Sequence, residues 1–123
     1  MAHVLLIDDD TTLRDTVAQM LELDGHKVTQ AADGHEGLQR LREATPDLVM
    51  TDVLMPGMDG AEFIAALRQR HASLPVIAIS GGRRVLSPRF NLETASLAGA
   101  DLQLAKPFSR QQLQTAVRTA LGR

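Results

Sequence analysis

The amino-acid sequence predicts an α/β protein, a doubly wound five-stranded parallel sheet with helices on both faces. Three observations carry this. Short apolar, β-compatible runs alternate with stretches whose apolar residues recur at helical spacing. The fourth run, Val76-Ile77-Ala78-Ile79, is apolar at every position, as a strand covered on both faces must be. Four of the runs also break off at a polar side chain, Asp8, Asp52, Ser80 or Lys106, before a loop or helix start. A length of 123 residues, 44% of them hydrophobic, suits one domain with one sizeable core.

Each element has its own local signal. The first strand, residues 4–7, runs into Asp8-Asp9-Asp10, and Asp10 is placed to cap a helix carrying Leu13, Val17, Met20 and Leu21 on one face. Gly25, after Asp24, stops it. Residues 26–31 read as a second strand carried by Val28 and Thr29. Gly34 then opens a short helix with Leu38 and Leu41 on one side, ended by Thr45-Pro46. The third strand, residues 48–51, leads to Asp52 and a loop broken by Pro56, Gly57 and Gly60. A helix over residues 61–70 follows, with Phe63, Ile64 and Leu67 as its core stripe. Pro75 opens the fourth strand, and Ser80 is expected as the first polar group after it. Residues 81–90 are the least regular stretch and precede a helix through Leu92, Ala95 and Leu97 that should stop at Gly99. The fifth strand, residues 102–105, leads to Lys106-Pro107. Ser109 and Gln112 then have the spacing of a capping box for a helix with Leu113, Val117 and Leu121 buried. Five such pairs joined by right-handed crossovers give the flavodoxin-like arrangement.

In an open parallel sheet, ligands bind at the carboxyl ends of the strands. Asp8, Asp9 and Asp52 finish the first and third strands, so three carboxylates should meet at that edge, where their mutual repulsion calls for a cation. Composition excludes several other functions. The formal net charge is -2 with both signs scattered, which argues against a nucleic-acid surface. There is no cysteine, hence no disulfide, thiolate metal site or cysteine nucleophile. No basic leader or long apolar run occurs, so a soluble, cytoplasmic chain is expected. His3, His26, His35 and His71 show no ligand spacing and are expected at the surface.

Several motifs occur together and in order: the acidic pair after the first strand, Asp52 followed by Met55-Pro56-Gly57-Met58-Asp59-Gly60, Ser80 after the fourth strand, and Lys106-Pro107 after the fifth. Together they resemble the receiver domain of two-component response regulators, over nearly the whole chain. The resemblance implies that Asp52 is a phosphoacceptor, served by a histidine kinase or a histidine phosphotransfer protein. It makes Asp8 and Asp9 the metal-binding pair, completed by Asp52 and the backbone carbonyl of Leu54. Mg²⁺ or Mn²⁺ is the implied ion, with Asp8 acting through water. Ser80 is the implied switch hydroxyl and Lys106 the implied phosphate-facing cation, with a cis peptide to Pro107. Such a protein catalyses its own phosphorylation and dephosphorylation and signals by a change of conformation. Met55 and Met58 are read as loop packing.

Two departures stand out. Gln103 occupies the position, three residues before the lysine, where relatives carry an aromatic ring. The interval from Ser80 to Lys106 is also longer than in typical members, with the excess in residues 81–90. The change of state is therefore expected to pass through Ser80 and the Gly81-Gly82 pair. The run Asp8-Asp9-Asp10-Thr11-Thr12 also fits a haloacid-dehalogenase-type phosphatase, but that family needs a later acidic pair, and nothing acidic occurs from Pro107 to Arg123. A degenerate receiver acting only as a protein-binding module is the other alternative. The end of the sequence soon after the last helix leads to the expectation of a single-domain, chemotaxis-regulator-like receiver with no output domain, direct nucleic-acid contact or membrane insertion.

Overall fold

Side chains that alternate between two apolar layers fix where each strand lies. The computed structural model describes residues 2–53, 58, 60–81 and 99–122. Its strands are His3–Ile7 (β1), Lys27–Ala31 (β2), Leu48–Asp52 (β3), Val76–Gly81 (β4) and Leu102–Lys106 (β5). All pair in parallel, in the order β2-β1-β3-β4-β5. The helices are Thr11–Leu23 (α1), Gly34–Glu43 (α2), Gly60–Arg68 (α3) and Arg110–Ala120 (α4). Leu5, Ile7, Val49, Val76 and Ala78 point to one layer, closed by Leu41 of α2 and by Phe63, Ile64 and Leu67 of α3. Val4, Leu6, Leu48, Met50, Ile77 and Ile79 point to the other, closed by Val17, Ala18 and Leu21 of α1 and by Leu113 and Val117 of α4. Strand residues of period two thus feed two cores, and the doubly wound flavodoxin-like fold follows.

The helix ends obey local chemistry. Asp10 caps α1 by accepting from the Leu13 N–H, and Asp33 caps α2 by accepting from Glu36. Ser109 and Gln112 form the reciprocal capping box of α4. Gly25 and Gly99 both adopt positive φ where the chain turns after α1 and before β5. The Lys106–Pro107 peptide is cis. At the sheet edge opposite the acidic residues, Arg68 of α3 donates to the carbonyls of His71, Leu74 and Gly99 and to Asp101, tying the turns that lead into β4 and β5.

Several boundaries differ from expectation. β4 continues through Gly81, so Ser80 lies inside the strand instead of beyond it; its register with Ala105 of β5 keeps the ladder going past the apolar run. Lys106 likewise ends β5, paired with Gly81, where it was expected to follow the strand. β2 begins at Lys27, because the His26 N–H is taken by the Leu21 carbonyl in the turn after α1. α2 ends at Glu43, and α3 spans Gly60–Arg68 instead of residues 61–70. Leu121 is half-buried at the end of α4. The expected helix through Leu92, Ala95 and Leu97, the loop from Gly82 to Phe90, and Leu54, Met55, Pro56, Gly57 and Asp59 lie outside the described residues. None of the described helices is long and apolar enough to cross a membrane.

Gly60 couples the fold to the carboxyl edge of β3. Its N–H donates to the Val53 carbonyl at 2.7 Å. A Cβ at Gly60 would meet the Asp52 carbonyl oxygen and lie 2.6 Å from the Val53 Cα, both backbone atoms that cannot swing aside. Gly60→Ala should therefore lower stability by about 1–3 kcal/mol, the usual cost of forcing an extra carbon into a packed site. Urea unfolding of the two proteins checks this; an unchanged midpoint would show that the turn relaxes freely.

Candidate functional site

Parallel register brings the ends of β1, β3, β4 and β5 to one edge. Ile7 pairs with Thr51, so Asp8 and Asp52, each one residue further along, emerge side by side. Three consecutive aspartates then part company. Asp8 is buried, Asp9 half-buried and Asp10 exposed as the α1 cap. Asp8 is held at every polar atom. Its N–H donates to the Ala31 carbonyl at 3.2 Å, and its carbonyl accepts from Arg14 Nη1 at 2.6 Å. Its Oδ1 accepts from the Asp10 N–H at 2.9 Å, and its Oδ2 faces Lys106 Nζ at 3.3 Å.

Asp52, only 4% exposed, directs Oδ2 to Lys106 Nζ at 3.2 Å, so one ammonium bridges the carboxylate that follows β1 and the one that ends β3. Ser80 comes to the same edge from β4. Its hydroxyl oxygen is fully buried and has no hydrogen-bond partner among the described residues. Such a group costs about 1–3 kcal/mol of desolvation and is a standing donor for anything that reaches it.

Asp8, Asp9 and Asp52 each offer a carboxylate oxygen within 4.8 Å of the others. Counted among the described residues, the three carboxylates and the Lys106 ammonium sum to a formal charge of -2. An all-oxygen donor set with that charge fits a hard divalent cation such as Mg²⁺ or Mn²⁺ and does not suit a soft metal. The protonation of Asp8 registers the same crowding. Burial pushes its carboxyl up to about 6, with repulsion from Asp52 acting the same way, against the opposing pull of the Asp10 N–H and Lys106.

Of the residues singled out in the sequence, Asp8, Asp9, Asp52 and Lys106 converge, Ser80 lies in β4 at the same edge, and Leu54 lies outside the described residues. Gln103 is exposed on β5. Met58 is half-buried against the α2–α3 core and against Gly34. His3 and His26 are half-buried rather than superficial: the ring of His3 meets Thr29 Oγ1 at 2.7 Å, and His26 Nδ1 accepts from the Ala2 N–H at 3.2 Å. Arg14 and its partner Gln30, at 2.9 Å, carry no signal in the sequence beyond a polar position on the first helix and one on β2.

The family model for the response regulator receiver domain matches residues 4–118. The transcriptional regulatory protein AfsQ1 of Streptomyces coelicolor is 37% identical over 123 residues, covering 100% of this chain and 52% of the relative. This chain spans about half the length of the curated relatives it matches. Among solved structures, a putative response regulator from Chloroflexus aurantiacus superposes with a TM-score of 0.90 at 32% identity, covering 99% of this chain and 98% of that one. The chemotaxis protein CheY4 of Vibrio cholerae gives 0.88 at 32% identity, covering 98% and 99%.

The raised Asp8 value has a defined consequence for stability. An acid whose folded pKa lies above its unfolded one contributes stability below the unfolded value, here 3.8, and that contribution is lost as pH rises through about 6. Without divalent ions, the unfolding free energy should therefore fall from about pH 4 to about pH 7. Asp8→Asn should flatten that slope and raise stability at neutral pH by on the order of 1–3 kcal/mol. Urea unfolding across this range, at fixed ionic strength, is the measurement; a slope that persists in the variant would place the titrating group elsewhere.

Proposed function

This chain belongs to the response regulator receiver domain family, and we propose that it accepts a phosphoryl group on Asp52 from a histidine kinase or a histidine phosphotransfer protein. The observation that carries this reading is the Lys106 ammonium bridging Asp8 and Asp52 inside a cluster of three carboxylates. A carboxylate oxygen of Asp52 attacks phosphorus, the bond from phosphorus to the donor imidazole nitrogen breaks, and that nitrogen retains the electron pair and takes a proton. Asp52 is buried enough to be desolvated, and it ends β3 at the edge where open parallel sheets bind their ligands.

Asp8, Asp9 and Asp52 would hold Mg²⁺ or Mn²⁺, together with the Leu54 carbonyl. When bound, that ion supplies charge neutralisation between the attacking carboxylate and the phosphoryl oxygens. Lys106 turns from the Asp52 carboxylate toward a phosphoryl oxygen as charge builds there. The Ser80 hydroxyl, without a partner among the described residues, donates to another phosphoryl oxygen. That bond exists in only one of the two states, so it supplies the differential contact a conformational switch requires. With Gln103 exposed on β5, no aromatic ring at that position takes part, and Ser80 is the group through which the phosphorylated state is read. Hydrolysis of the aspartyl phosphate in the same site restores the starting state.

Acetyl phosphate with Mg²⁺ tests the chemistry directly. Asp52→Asn should remove phosphate incorporation, measured by intact mass, while the fold persists; incorporation at the wild-type level would move the site away from Asp52. Lys106→Met should slow incorporation by about 100-fold or more, the usual loss on removing one charged donor from a transition state. Because it also removes a positive charge from the acidic cluster, the same variant should bind Mn²⁺ more tightly than wild type. Loss of both properties together would assign Lys106 to structure alone.

A further inference from the structure

Arg14 stands apart from the other arginines near carboxylates. Arg40, Arg68 and Arg110 each form an ion pair with Asp or Glu. Arg14, half-buried on the first turn of α1, meets two neutral groups: Nη1 donates to the Asp8 carbonyl at 2.6 Å and Nε to Gln30 Oε1, on β2, at 2.9 Å. No carboxylate partner is present among the described residues. A cation beside three carboxylates that hydrogen-bonds a carbonyl and an amide instead is not placed to neutralise them by direct pairing. Its place next to a divalent ion is electrostatically adverse. What a guanidinium offers here, and an ammonium does not, is a planar fork that fixes two acceptors at once.

The acceptor it fixes is informative. The Asp8 carbonyl belongs to the peptide that joins Asp8 to Asp9, and Asp9 lies on a bend with its carboxylate in the cluster. The rotation of that peptide decides where the Asp9 carboxylate points. Asp8 is tied through its N–H, its side chain and Lys106, but its carbonyl is tied through Arg14, and Gln30 holds Arg14 from the neighbouring strand. We propose that Arg14, braced by Gln30, is a positioning residue that sets the geometry in which Asp8 and Asp9 meet a divalent cation. This rests on reading Asp8, Asp9 and Asp52 as a cation site.

Charge and position predict opposite signs, which makes the test decisive. Removing the positive charge of Arg14 would tighten cation binding by Coulomb attraction alone. Losing the orientation of the acidic pair would weaken it, and groups that orient metal ligands typically account for about 10- to 100-fold in affinity. The experiment titrates the full chain with Mn²⁺, reading the free ion by electron paramagnetic resonance, with thermal unfolding recorded on every variant. Arg14→Met should bind Mn²⁺ at least about 10-fold more weakly than wild type despite the lost positive charge. Arg14→Lys keeps the charge without the fork and should also be weaker. Gln30→Met leaves the arginine unbraced and should fall between the two. Affinity equal to or tighter than wild type in Arg14→Met, with a lowered melting temperature, would overturn the proposal and leave Arg14 a clamp between α1 and the sheet. Should that variant not fold, wild-type affinity in both Arg14→Lys and Gln30→Met would overturn it equally. Asp9→Asn separates the two layers of inference. Wild-type binding that this change abolishes upholds the cation site whatever the Arg14 variants do, whereas a wild type that binds no Mn²⁺ removes the site and the role of Arg14 together.

Discussion

Holding three carboxylates within 4.8 Å at the end of a parallel sheet is the constraint around which the neighbouring structure is arranged. Two of them, Asp8 and Asp52, are almost fully buried, so their charges are both desolvated and close. Isolated buried carboxylates would protonate instead. Here the Asp10 N–H and the Lys106 ammonium share the load. The load is not fully relieved, as the elevated Asp8 value records. Added positive charge at this edge would lower that cost.

Close packing behind the edge keeps the cluster in place. A Cβ at Gly37 would come within 2.6 Å of Ile7 Cδ1 and 2.9 Å of Phe63 Cε1, so α2 lies tightly over β1 and α3. Gly60 plays the same part against the end of β3. These contacts join Ile7, just before Asp8, and Val53, just after Asp52, to one core with Leu5, Val49, Phe63 and Ile64. Because interiors packed at this density deform little, the separation of the two carboxylates is set by the core as much as by their local loops. Arg14 holds the Asp8 carbonyl, and Lys106 meets side-chain oxygens of Asp8 and Asp52.

The strands also differ in what they contribute. β3 is buried at every residue and ends in Asp52, whereas β5 alternates between half-buried and exposed positions, as a strand at the margin of the sheet does. Lys106 reaches the cluster from that margin, by the register that sets it against Gly81. The Lys106 side chain is only 15% exposed and sets its charge against two carboxylates at 3.3 and 3.2 Å.

Much of this was legible in the sequence because the signals are local. The alternation of apolar runs, the caps at Asp10 and Ser109, and the turn glycines Gly25 and Gly99 depend on neighbours a few residues away. The acidic residues and Lys106 could be placed at one edge because a parallel sheet sends every strand end there. The sequence by itself therefore determined the fold class and which groups would share an edge. Tertiary structure alone decided how they meet. It drew Ser80 and Lys106 into the β4–β5 ladder, which depends on pairing between strands rather than on either strand's own pattern. It gave three adjacent aspartates three different burials and tied the Asp8 carbonyl to Arg14 and Gln30, residues unremarkable in one dimension. Distances among groups tens of residues apart follow from sheet register and core packing, and neither is written in any local stretch of the chain.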